Sequence, residues 1–108
     1  MITVTNKYHY PTSREDVKTT VVYCGRGSSL GNPFKMMNQQ DRDRVCNNFE
    51  AYLPAKLQED SRESALMHRQ LNEIAKLAKI GDVQLQCFCA PKRCHCETIK
   101  SYVEDNLL

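Results

Sequence analysis

The chain has 108 residues, enough for one domain with a single modest core and too few for two. Hydrophobic residues make up 41% and charged residues 26%, an ordinary balance for a globular protein that excludes wholesale disorder. The net charge of +2, from 15 basic and 13 acidic residues, gives no single-sign field and argues against duplex binding driven by bulk charge, while leaving room for a local basic patch and so for nucleic acid.

The opening MITVTNKYHY has no basic region followed by an apolar run, so neither a secretory signal nor a membrane span is expected. An intracellular location follows as the expectation. Thiols stay reduced there, so the six cysteines read as core residues, metal ligands or reactive groups rather than as a disulfide framework.

Ile2 to Thr5 alternate and are β-branched, as in a short strand. Tyr8 to Asp16 is polar, contains Pro11 and reads as a connection. Thr19 to Cys24 predicts a second strand running directly into Gly25 and Gly27, the kind of junction where α/β proteins place ligands. From Asp41 the spacing turns helical, with Val45, Phe49, Tyr52 and Leu53 three and four apart, and Pro54 is expected to kink or end that helix. A second helix fits Arg62 to Lys79, with Met67, Leu71, Ile74, Leu77 and Ala78 on one face and Gly81 just past its end. VQLQCFC then predicts a strand with Val83, Leu85, Cys87 and Cys89 on one face and Gln84, Gln86 and Phe88 on the other. A last helix starts at about Cys94, with Ile99, Tyr102, Val103 and Leu107 as its apolar face.

No repeat or Pro/Gly-rich linker divides the chain, so residues 1–108 are read as a single α/β domain. Strands separated by helices need crossovers, which predicts a largely parallel central sheet of about three or four strands flanked by helices, Rossmann-like, in two or three layers. Whether the first strand joins it parallel or antiparallel stays open.

Two segments carry candidate chemistry. In YCGRGSSLGNPF, glycines at 25, 27 and 31 let the backbone approach a ligand, Ser28, Ser29 and Asn32 offer small polar groups, and Arg26 offers a planar cation. Exposed amides of such a loop favour anions. It lacks the Gly-Lys-Ser/Thr ending of a Walker loop and misses the dinucleotide fingerprint. The spacing alone supports a plain turn, with Pro33 and Phe34 anchoring its far end, as well as it supports a ligand loop.

QCFCAPKRCHCE is the other. Its C-x-C-x4-C-x-C pattern offers four thiolates to zinc with His95 as a fifth donor, but structural sites prefer C-x2-C, whose two intervening residues wrap the ion. At helical spacing Cys94 and Cys96 would lie about 200° apart, so one ion on all four sulfurs is less expected than one on two or three, and no metal-ligand set is assigned. Cys87 and Cys89 are expected to pack in the core. Cys94 and His95 follow Pro91 at a helix start, where free amides stabilise a thiolate or a bound anion and Lys92 and Arg93 add charge. Glu97, one turn in, could orient His95, activate water or contact a sugar hydroxyl, so Cys94, His95 and Glu97 are the catalytic candidates. His9 and His68 are expected at the surface, Cys24 and Cys46 as ordinary buried residues, and DRDR at 41–44 as a solvated helix start.

These two segments resemble those of the small bacterial and phage family catalogued as domain of unknown function 4326. Gly25, Arg26, Gly27, Ser28, Gly31, Asn32, Pro33 and Phe34 carry the first motif, and Cys87, Cys89, Pro91, Cys94, His95 and Glu97 the second, in the order the family has them. Cys96 stands where the family usually has glycine or another small residue, and reads as a peculiarity of this chain. The resemblance places the protein in the cytoplasm of a bacterium or an infected host cell. Members are similar in outline to Rossmann-like proteins that bind nucleotides or cleave N-glycosidic bonds, a fold-level analogy.

The expectation is a nucleotide- or nucleoside-binding protein, with hydrolysis or glycosyl transfer on a nucleotide or sugar phosphate as the candidate reaction. In it Gly25, Arg26, Gly27, Ser28, Gly31 and Asn32 hold the phosphate-bearing ligand, and His95, Glu97 and Cys94 act on it. In a parallel sheet both segments leave from carboxyl ends of strands and would converge on one pocket. The alternatives are a non-catalytic phage-encoded modulator that binds a host protein or defence factor, and a small zinc module.

Overall fold

The computed structural model describes residues 1–6, 19–25, 27–35, 37–87 and 93–108. Strands β1 (Ile2–Asn6), β2 (Thr19–Tyr23) and β3 (Asp82–Cys87) form one parallel sheet in the order β1-β3-β2. The first strand, left open by the sequence, thus pairs parallel with β3, Ile2 opposite Val83 and Val4 opposite Leu85. On the other side Thr20 meets Val83 and Val22 meets Leu85. Cys24 extends the ladder by donating its amide to the Gln86 carbonyl at 2.9 Å.

Helices α1 (Arg42–Leu57), α2 (Arg62–Ile80) and α3 (Cys96–Asn106) supply the second layer. A 3₁₀ turn, Gln39–Asp41, leads into α1, with the Asn38 side chain accepting from the Gln40 amide. Pro54 lies inside α1, which runs on to Leu57 rather than ending there. One turn beyond the proline is short enough for burial of Leu53 and Leu57 to hold it against the lost hydrogen bond. Ser61 caps α2 by accepting from the Ser64 amide, and Ser64 Oγ and the exposed His68 ring both reach back to the Leu57 carbonyl. The unpaired carbonyl at the end of α1 is thereby satisfied by the start of α2.

Ile2, Val83, Leu85 and Cys87 share one sheet face and join Phe49, Leu53, Met67, Leu71, Ile74, Ile99 and Val103 in one core. The described helices therefore cover that face, giving two layers among the described residues. Central strand β3 is buried on its other face too, where Gln84 and Gln86 are 6% and 9% exposed. The sequence places both glutamines on that face but does not show their burial. No described helix is long and apolar enough to cross a membrane.

Candidate functional site

Because β2 and β3 are adjacent and parallel, the glycine-rich and cysteine-rich segments leave the sheet from the same end. The first winds through two tight turns, Ser28 N–H donating to the Gly25 carbonyl and Gly31 N–H to the Ser28 carbonyl, each at 3.1 Å. Gly27 has φ +93°, a backbone that side chains other than glycine's rarely adopt. A Cβ on Gly31 would lie 2.7 Å from the Gly25 carbonyl oxygen, so this position is glycine because two stretches of backbone touch there. The turns also send Leu30 into the core, fully buried.

The loop's small polar side chains largely serve the loop itself. Ser28 Oγ donates to the Gly25 carbonyl at 2.7 Å, and Ser29 Oγ to Gln70 Oε1 of α2. Asn32 Oδ1 accepts from the Phe34 amide at 2.9 Å, while its Nδ2 reaches the Val45 carbonyl of α1 at 3.3 Å. Gly27, Ser28, Gly31, Asn32, Pro33 and Lys35 nevertheless line an open cleft of about 270 Å³. The Lys35 ammonium is exposed and forms no ion pair among the described residues. Arg26, the cation expected to meet the ligand, lies outside the described residues, as do His9, Pro11, Phe88, Cys89, Pro91 and Lys92.

His95 joins the two segments. Its Nε2 lies 2.7 Å from the Cys24 carbonyl oxygen and its Nδ1 3.5 Å from Cys94 Sγ. An oxygen that only accepts requires the proton on Nε2, which leaves the Nδ1 lone pair facing the Cys94 thiol. The ring packs edge-on against Phe49 at 5.0 Å, and burial lowers its pKa despite the contacts with the Cys24 and Leu30 carbonyls. His95 is thus a buried, neutral clamp with both nitrogens engaged, rather than a base turned to solvent.

Cys94 precedes α3, and Cys96 is the first helical residue. The helical angle assumed between them from spacing therefore does not apply, and their sulfurs converge. Sγ atoms of Cys87, Cys94 and Cys96, all buried, lie within 4.8 Å of one another. Contact with the Cys87 thiol, followed by burial, pushes the Cys94 thiol up, while Cys96 pulls the other way. Cys96 is held up by the thiols of Cys24, Cys87 and Cys94 and by burial. Without a cation beside them the Cys94 and Cys96 thiols stay protonated, in contrast to the thiolate expected of Cys94 at a helix start.

Glu97 closes the turn that introduces α3. Its Oε2 accepts from the Cys94 amide at 3.0 Å, while the Glu97 amide donates to the Cys94 carbonyl at 3.1 Å, so the turn is tied from both sides. Arg93 turns toward α1, pairing with Asp43 and Glu50 at 3.0 Å each and with Asn47 Oδ1 at 2.8 Å, as Arg42 holds the Arg93 carbonyl. Of the positive charge expected beside Cys94, the part carried by Arg93 is thus paired with two carboxylates, while Lys92 lies outside the described residues. Cys94 and Glu97 border a second cleft of about 310 Å³ with Glu50, Arg93, Thr98 and Ser101. The two motifs meet through buried His95, while the described linings of their clefts differ.

Sequence reasoning set Cys24 and Cys96 apart from the cysteine cluster. Cys24 joins it through strand register, Tyr23 opposite Gln86 carrying on to Cys24 beside Cys87, a pairing with no local signal in the sequence. For Cys96 the signal was its neighbour in the motif, discarded because both residues were assumed helical.

Comparison with curated proteins gives no match, and neither does comparison with solved structures. A family model does match, over residues 8–105, a span that includes both motifs, the whole of β2, α1, α2 and β3, and most of α3. The chain belongs to the family described as domain of unknown function DUF4326.

Proposed function

We propose that the protein is a binding domain for a nucleotide or another phosphate-bearing small molecule, whose phosphate sits in the cleft between Gly27 and Lys35. The observation that carries this reading is the exposed Lys35 ammonium, without an ion-pair partner among the described residues, on the rim of a glycine-bounded cleft at the carboxyl end of a parallel strand. Ligands of open α/β sheets bind at that end of the strands, and backbone amides beside a cation suit a phosphate. Arg26, inside the same sequence segment, supplies a second cation. A hydrolytic or glycosyl-transfer step through His95, Glu97 and Cys94 is not part of this reading. The His95 nitrogens are engaged, the Glu97 carboxylate holds the Cys94 amide and the Cys94 thiol is held protonated.

Thermal-shift titration with inorganic phosphate and with nucleoside mono-, di- and triphosphates is the test. A saturable rise in Tm is expected that weakens in Lys35→Ala and in Arg26→Ala. An unchanged Tm with every one of these ligands, or a rise that both variants retain in full, overturns the reading.

A further inference from the structure

We propose that Cys87, Cys94 and Cys96 are ligands of a single thiophilic metal ion, zinc by its chemistry, buried between the end of β3 and the start of α3. Cys87 ends β3, while Cys94 and Cys96 lie two residues apart where α3 begins, and the three sulfurs lie within 4.8 Å of one another. A tetrahedral zinc ion with Zn–S bonds of about 2.3 Å spaces its sulfurs about 3.8 Å apart, so the trio closes on an ion with shifts of about 1 Å or less. Clusters of several irons spread their thiolates wider than one ion does, which favours the mononuclear site.

Structural zinc sites complete their tetrahedron with a fourth donor, and two stand beside the trio. The Cys24 thiol meets that of Cys96, and His95 Nδ1 faces Cys94 Sγ with its lone pair. The hydrogen bond from His95 to the Cys24 carbonyl fixes that tautomer, the outer contact that metal-binding histidines commonly make. The trio sits at the amino end of α3, whose dipole favours the negative charge of the thiolates. The three thiols that become ligands each give up a proton to solvent as the ion enters, so binding is tighter at higher pH and releases acid. The ion would tie the central strand to the last helix, independently of whether the glycine cleft takes a phosphate.

The test uses the full chain, expressed in zinc-supplemented medium and purified reduced and without chelator. About one zinc per chain is expected, with replacement by Co2+ giving a sulfur-to-metal charge-transfer band. Cys94→Ser and Cys96→Ser should lose that metal, while Cys46→Ser, whose thiol lies on α1 outside the trio, should keep it. Wild-type protein that holds no zinc and gives no band when Co2+ is added overturns the proposal, and so does full retention in both cluster variants. Should those variants fail to fold, thiol labelling of the wild type decides. Slower labelling with zinc than after chelation supports the site, and equal rates overturn it.

Discussion

His95 Nε2 lies 2.7 Å from the carbonyl oxygen of Cys24, a contact across 71 residues of sequence that fastens the second motif to the first. It is made at the point where β2 gives way to the glycine loop, and Phe49 of α1 closes over the ring. One side chain therefore holds the sheet end, the loop and the start of α3 together.

His95→Ala opens a cavity under Phe49 and leaves the Cys24 carbonyl without its donor. A loss of about 2–4 kcal/mol of stability is expected, read from urea denaturation followed by circular dichroism. A loss below about 0.5 kcal/mol, the level of an ordinary surface substitution, would show that the clamp does not hold the fold.

Gly27 and Gly31 should respond differently to the same side chain. Gly27→Ala places a Cβ in open space on a backbone with φ +93°, at a cost of about 1–2 kcal/mol, and Gly27→Asn should be milder. Gly31→Ala drives its Cβ against the Gly25 carbonyl at a cost of about 1–3 kcal/mol, and Gly31→Asn should be no better. Thermal melts of the four variants test that ordering.

Glu97→Ala removes the acceptor for the Cys94 amide. The expected loss is about 0.5–2 kcal/mol, the worth of one hydrogen bond to a carboxylate, with Glu97→Gln recovering part of it because the amide oxygen still accepts. If Glu97 instead performed proton transfer on a bound ligand, Glu97→Gln would keep stability and abolish turnover.

Arg93→Ala severs the link from the segment before α3 to Asp43, Asn47 and Glu50. Its Tm should fall in dilute buffer, and the gap to wild type should narrow as salt rises, because the pairs are partly exposed and screened. Arg93→Lys should recover little, since an ammonium cannot engage three acceptors in the fork geometry of a guanidinium. A gap that is unchanged by salt would assign the effect to packing of the arginine stem instead.

Local chemistry made much of this protein legible without coordinates. β-Branched alternation marked Ile2 to Thr5 and Thr19 to Cys24 as strands, and the spacing of Met67, Leu71 and Ile74 marked α2 to within a residue at its end. These patterns are properties of neighbours along the chain, which is why they survive in sequence. The two motifs also gave the family, since each is contiguous.

What needed the tertiary structure was anything set by strand order or by where a helix begins. The order β1-β3-β2 is what brings Cys24 alongside Cys87. The start of α3 at Cys96 is what lets Cys94 and Cys96 converge, and the acidic face of α1 is what claims Arg93. Each depends on contacts between residues far apart in sequence, whose closure has no local signature. The sequence by itself determined two strand-end motifs and a supply of thiols; only the fold decided that His95 is a clamp and that three of those thiols meet.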